Sequence, residues 1–386
     1  MAAATVVTRM PTVGEMRDRV RNSAFVFRGY NVTNLGRTPE LLAHGDYGPI
    51  VADYLRRAST VCSDITQRPC DLVERVEQQR ETDLESYADA IALIVAVELA
   101  QLEILREVLD IAPEKAKLLY GFSLGEITAL MAAGVLKFED ALRIPLSMAE
   151  YSAALAHDVQ LAVLFSRGRE ISREAVHRLC TDINREGKGV VGVSAYLAPN
   201  SMLIIGQGDT LKRFTDRAGE ISKDRIFLRR NDNVWPPLHT PIVWQQFVPN
   251  RASQLMLTMQ GGDKVPCPPV LSLVTGDTSY NETNVRDLLG RWVDHPQKLW
   301  EAVDRTLSMG IETVLHVGPQ PNIVPATFQR LAKNVEEQVK ASLGMRALST
   351  FVSRPWLQAM LPKRTSLLRA PLVAQINLED WLLDHP

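Results

Sequence analysis

Residues 117–134 read Lys-Leu-Leu-Tyr-Gly-Phe-Ser-Leu-Gly-Glu-Ile-Thr-Ala-Leu-Met-Ala-Ala-Gly, and they constrain the fold more than any other stretch of the chain. An apolar strand-like run, Lys117 to Tyr120, enters Gly121-Phe122-Ser123-Leu124-Gly125. A helix-forming run, Glu126 to Ala133, leaves it and stops at Gly134. A serine on a sharp strand-to-helix turn needs glycine on both sides, because larger side chains would strike the adjoining strand and helix. The same turn sets the serine at a helix N-terminus, where the Leu124 amide and the helix dipole can meet developing negative charge. G-x-S-x-G by itself also describes an ordinary tight turn. With a strand before it and a helix after it, the pattern marks Ser123 as a candidate nucleophile in an α/β protein.

The flanking sequence supplies such a framework. Ala24 to Phe27 reads as a buried strand closed by Arg28-Gly29, and Glu85 to Leu109 is a helix apolar around most of its circumference, hence buried. A second helix is expected near Glu139 to Ala154. Between Leu161 and Leu228 the pattern changes to strand (Leu161–Phe165), helix (Arg173–Glu186), strand (Val190–Tyr196), strand (Ser201–Gly206), helix (Thr210–Ala218), strand (Arg225–Leu228). This βαββαβ order is the ferredoxin-like signature. Val270 to Val274 and Thr313 to Val317 read as further core strands.

The fold class is therefore α/β, with a hydrolase-like core over residues 20–155 and 232–335 and an inserted ferredoxin-like subdomain over 156–231. Residues 336–386 leave the pattern and read as a C-terminal extension, an add-on whose Leu378–Leu383 stretch is amphipathic.

Bulk properties exclude several classes of function. The net charge of −2 gives no basic surface for nucleic acid or an anionic membrane. The N-terminus lacks the charged-then-apolar order of a signal peptide, and the longest apolar stretch, Ala90 to Ala100, is too short to span a bilayer. Cys62, Cys70, Cys180 and Cys267 are scattered without metal-ligand spacing, which points to reduced thiols in a cytoplasmic protein and to no metal site. Among seven histidines, His239 in Pro236-Pro237-Leu238-His239-Thr240-Pro241 stands in the loop where the larger domain resumes. Its residues alone leave open whether it decorates the surface or serves the serine as a base.

Residues 121–142, Gly-Phe-Ser-Leu-Gly-Glu-Ile-Thr-Ala-Leu-Met-Ala-Ala-Gly-Val-Leu-Lys-Phe-Glu-Asp-Ala-Leu, resemble the GHSLGE…AL…AG…DAL signature of the malonyl-CoA:acyl-carrier-protein transacylases and of the acyltransferase domains of fatty-acid and polyketide synthases. Met309 to Pro319 is similar to that family's closing G(V/I)..(F/L)(I/V)E(V/I)GP strand, with His316 in place of the glutamate. The resemblance runs from about Phe25 to about Leu331. It implies that Ser123 forms the acyl ester and that His239 takes the serine proton. It also implies that a main-chain carbonyl near Trp292 orients the imidazole and that the amides of Leu124 and Tyr30 form the oxyanion hole. The substrate would be an acyl-CoA and the acceptor the phosphopantetheine thiol of an acyl carrier protein, with no permanently bound cofactor.

Departures from the family bear on the acyl group. Phe25-Val26-Phe27-Arg28-Gly29-Tyr30-Asn31 replaces F.FPGQG, and Phe122 replaces the histidine before the nucleophile. Met148 falls where the family's carboxylate-binding arginine is expected, and Ala195 and Leu197 fall where paired asparagines are expected. A thioether cannot replace a bidentate guanidinium–carboxylate pair, so these residues imply an apolar pocket and a non-malonyl acyl group. Three alternatives use the same features: an acyl-thioester hydrolase, a catalytically inactive acyltransferase-like binding protein, and a lipase with a serine–aspartate dyad, which would leave the His239 loop without a purpose.

Overall fold

The computed structural model describes residues 10–343 and 355–385. Two four-stranded sheets organise it. The first, in the order β2-β1-β7-β8, is wholly parallel: β1 is Ser23–Phe27, β2 Leu118–Gly121, β7 Thr313–Val317 and β8 Ala374–Asn377. β1 is buried along its whole length, as parallel strands covered on both faces are. Its alternate residues serve two cores. Phe25 and Phe27 pack with the buried helix Tyr87–Glu107, while Ala24 and Val26 pack with Leu299, Val303 and Phe328 on the opposite face. Tyr87–Glu107 is apolar all round because Gly48–Thr66 and Phe138–Ala156 enclose it.

The second sheet, in the order β4-β5-β3-β6, is wholly antiparallel: β3 is Val159–Ser166, β4 Val191–Ala198, β5 Ser201–Gln207 and β6 Ile226–Arg230. With helices Arg173–Arg185 and Thr210–Asp216 between the strands, this is the expected βαββαβ run. Period-two alternation sorts its faces. Ala162, Leu164, Met202 and Ile204 pack under those helices against Leu179 and Phe214, while Leu161, Val163 and Leu203 point to the other side. One parallel bridge, Ala195 to Gln297, links this sheet to the parallel-sheet unit.

Two expectations need correction. Val270–Val274 is not a strand: Val270 makes a single bridge to Leu119, and the chain then turns back at once, Ser272 donating to the Asp277 carbonyl. Pro268 and Pro269 remove the ladder donors that a longer pairing would need. Nor is the C-terminal segment an add-on. β8 pairs in parallel with β7 as the edge of the central sheet, and Trp381 in the following helix Leu378–Asp384 is fully buried, its indole donating to the Pro11 carbonyl at 2.7 Å. Trp356 and Leu367 complete the second core. Loop Arg28–Tyr30 also depends on this segment. Glu379 accepts from the amides of Arg37 and Gln320, and Arg28 donates to the Pro319 carbonyl in the same turn. Among the described residues no helix is long and apolar enough to cross a membrane.

Candidate active site

Ser123 joins β2 to the helix Leu124–Ala132 with φ 54° and ψ −117°, a region that non-glycine residues occupy only when the surroundings force it. The glycines show why the turn is possible. A Cβ at Gly121 would lie 2.0 Å from the Gly125 carbonyl carbon, and one at Gly125 would lie 2.4 Å from the Phe27 oxygen. The turn is thus pressed against both its own helix and β1.

The Ser123 hydroxyl lies 2.7 Å from Nε2 of His239, and His239 Nδ1 lies 2.7 Å from the Trp292 carbonyl. With Nδ1 protonated and donating to that carbonyl, Nε2 presents its lone pair to the serine. Burial holds the imidazole neutral, lowering its pKa to about 4 against the opposing effect of the Trp292 carbonyl. The His239 backbone is fixed by its amide donating to the Val293 carbonyl at 2.8 Å, and the Trp292 indole donates to the Ser123 carbonyl at 2.9 Å. Trp292, fully buried, therefore holds the His239 imidazole through its carbonyl and the Ser123 turn through its ring.

Leu124 is the first residue of its helix, where the amide has no intrahelical acceptor. Neither its amide nor that of Tyr30 donates to another protein group among the described residues. Loop Arg28–Tyr30 holds its course because the buried Arg28 donates to the Gly29 carbonyl at 2.9 Å and to the Asn34 amide oxygen at 2.7 Å, while its own amide donates to Glu98. Arg28 is therefore a brace, with its guanidinium turned into the fold. The Tyr30 ring packs edge-on against Tyr87 at 4.7 Å and Trp235 at 6.0 Å.

The remaining expected residues separate. Phe122 and Leu197 line a cleft of about 1010 Å³ that opens onto Ser123 and His239. Ala195 does not line it: it is fully buried in the same apolar cluster as Leu197, Leu271 and Trp300, where β4 bridges to Gln297. Met148 does not line it either: it stands with Tyr30, Tyr87, Ser123 and Leu124 around a separate void of only about 10 Å³, room for one water at most. Sequence reasoning missed Gln297. Its side-chain oxygen accepts from the Ser123 amide at 3.3 Å, and its backbone exchanges hydrogen bonds with Ser194 and Tyr196 of β4. Only its place after His295-Pro296, close to Trp292, hinted at it.

The cysteines are less scattered than their spacing implies. Cys62, Cys70 and Asp89 bring ligand atoms within 4.8 Å of one another, although Arg75 already holds Asp89 at 2.6 Å.

No family model matches the chain. The malonyl CoA-acyl carrier protein transacylase of Bacillus subtilis strain 168 is 24% identical over 202 residues, 52% of this chain and 60% of that protein, so the chain spans less than two thirds of that relative. The enzyme of the same name from Haemophilus influenzae is 25% identical over 302 residues, 78% of this chain and 89% of that protein. Among solved structures, a malonyl-transacylase in complex with its type II polyketide synthase acyl-carrier protein superposes with a TM-score of 0.60 at 20% identity, covering 79% of this chain and 91% of that one.

Proposed function

Taking the chain as a divergent relative of the malonyl-CoA acyl carrier protein transacylases, we propose that it moves a neutral acyl group from acyl-CoA, through an ester on Ser123, to the phosphopantetheine thiol of an acyl carrier protein. The observation that carries this reading is the unbroken relay from Ser123 Oγ through His239 to the Trp292 carbonyl, set on a strained turn. Ser123 Oγ attacks the thioester carbonyl and passes its proton to Nε2. The oxyanion forms against the amides of Leu124 and Tyr30. The C–S bond then breaks, and the departing thiolate takes the proton from the imidazolium. In the second half the carrier thiol gives its proton to His239, its sulfur attacks the ester, and Ser123 recovers its proton.

The neutral character of the acyl group rests on Met148 and the filled space around it. A carboxylate placed there would have neither room nor a cation, and a buried unpaired charge is costly. Arg167, Arg229, Arg330 and Lys333 line the larger cleft, are exposed, and have no carboxylate partner among the described residues; they suit the phosphates of CoA or of the carrier's arm. A carrier as acceptor draws support from the similar fold of the transacylase bound to its carrier.

Incubation with labelled butyryl-CoA, with and without a phosphopantetheinylated carrier protein, tests the reading. It requires label on the carrier. Label lost to water at the same rate in both reactions would make the chain a hydrolase.

A further inference from the structure

The space around Ser123 is lopsided. On the Met148 side Tyr30, Tyr87 and Met148 leave about 10 Å³, too little even for an acetyl group. A far larger space lies in the large cleft, whose lining is mixed. Asn31, Asn231 and Asn322 give it polar groups, and the exposed Arg167, Arg229, Arg330 and Lys333 give it cations. Between them runs an apolar stretch. Phe122, Leu161, Val163 and Ile323 are half-buried there, and Trp300 and Trp356, packed edge-on at 5.9 Å, form one end. The apolar wall has a simple origin. β3 and β5 have aliphatic residues on both faces, and their own helices cover only one. Trp356 comes from the C-terminal segment, so that segment contributes to the cleft as well as to the core.

Resting on the acyl-transfer reading above, we propose that the acyl group is a medium-length unbranched aliphatic chain lying along this apolar wall, with the polar part of the cleft left to the amides of the phosphopantetheine arm. The length follows from the strand. From Leu161 to Phe165, both of which line the cleft, β3 advances four residues, about 13 Å. An extended chain of single bonds advances about 1.2 Å per bond, so the wall matches roughly ten carbons. Because the Met148 side is closed, chain length is read on the small sheet and the C-terminal segment, and not on the side where the sequence comparison places the carboxylate pocket.

The test is a binding series on the Ser123→Ala variant, which cannot turn the ligand over. Calorimetry with CoA, acetyl-, butyryl-, octanoyl-, decanoyl- and malonyl-CoA reads the chain directly. Affinity should rise by about fourfold for each added methylene that the wall buries fully, or about four-thousand-fold over the six methylenes between butyryl and decanoyl. It should fall back to the level of CoA when Ala326, exposed on the cleft side of the helix Ile323–Leu343, is replaced in A326W. Val163→Trp is the second block, and a melting curve for each variant checks that the fold is kept. An affinity that ignores chain length, or one unaffected by both blocks in folded protein, overturns the proposal. Labelling of wild-type Ser123 is a separate readout. If decanoyl-CoA binds as described but never labels Ser123, the transfer reading fails while the assignment of the chain-binding wall stands.

Discussion

At the scale of single residues, the site rests on two side chains placed by backbone that few sequences adopt. Ser123 and His239 both have positive φ, 54° and 65°, and each is held there by main-chain or indole hydrogen bonds from the Trp292–Val293 segment. His239 as the proposed base, already desolvated and aligned, makes a definite prediction about pH. Its neutral form is the active one, and burial lowers its pKa to about 4. The acylation rate should therefore stay level as pH falls through 6.5, the ordinary histidine value, and drop only toward pH 4; a stopped-flow profile with a midpoint near 6.5 would contradict this. His239→Ala should lower the rate by about 10²–10⁴-fold with an unchanged melting curve. Ser123 and Leu124 were legible because a turn motif positions them locally, whereas Trp292 came only from the family resemblance. Gln297 and Ala195 were misjudged because what they touch depends on how β4 meets the parallel-sheet unit, and no local pattern encodes that bridge.

At the scale of elements, most boundaries were readable from periodicity, and the failures share a cause. β8 has four residues, Ala-Gln-Ile-Asn, only one of them buried, so it has neither the length nor the alternation that announces a strand. It becomes a strand because β7 offers an open edge. Val270–Val274 failed in the other direction: an apolar, β-branched run is denied a ladder by the prolines before it. The C-terminal segment now carries a prediction opposite to the one its sequence invited. Trp381→Ala should cost about 3–5 kcal/mol in denaturant unfolding, since the indole is fully buried and hydrogen-bonded. Truncation after residue 343 should expose the β7 edge and free the turn that Glu379 ties to the Arg28–Tyr30 loop, so activity should fall with stability. A soluble truncated protein with wild-type acylation would show that the segment is dispensable.

At the scale of the whole molecule, the parallel sheet supplies Ser123, the proposed nucleophile, and the antiparallel sheet supplies a wall of the cleft that reaches it. Gln297 joins the two units: its side chain meets the Ser123 amide while its backbone pairs with β4. Its side-chain nitrogen also lies 3.4 Å from His239 Nδ1, so Gln297→Leu should disturb both the Ser123 turn and the imidazole and impair both steps of transfer, by roughly tenfold for each hydrogen bond lost; no change in single-turnover rates would assign it a packing role only. The central claim is that Ser123 carries the acyl group. Intact-mass measurement after brief mixing with butyryl-CoA or decanoyl-CoA tests it most directly. The account predicts a mass increase equal to one acyl group, located on the peptide containing Ser123 and absent from Ser123→Ala. An adduct that persists in that variant, or a folded wild-type protein that acquires none from any acyl-CoA, would contradict it.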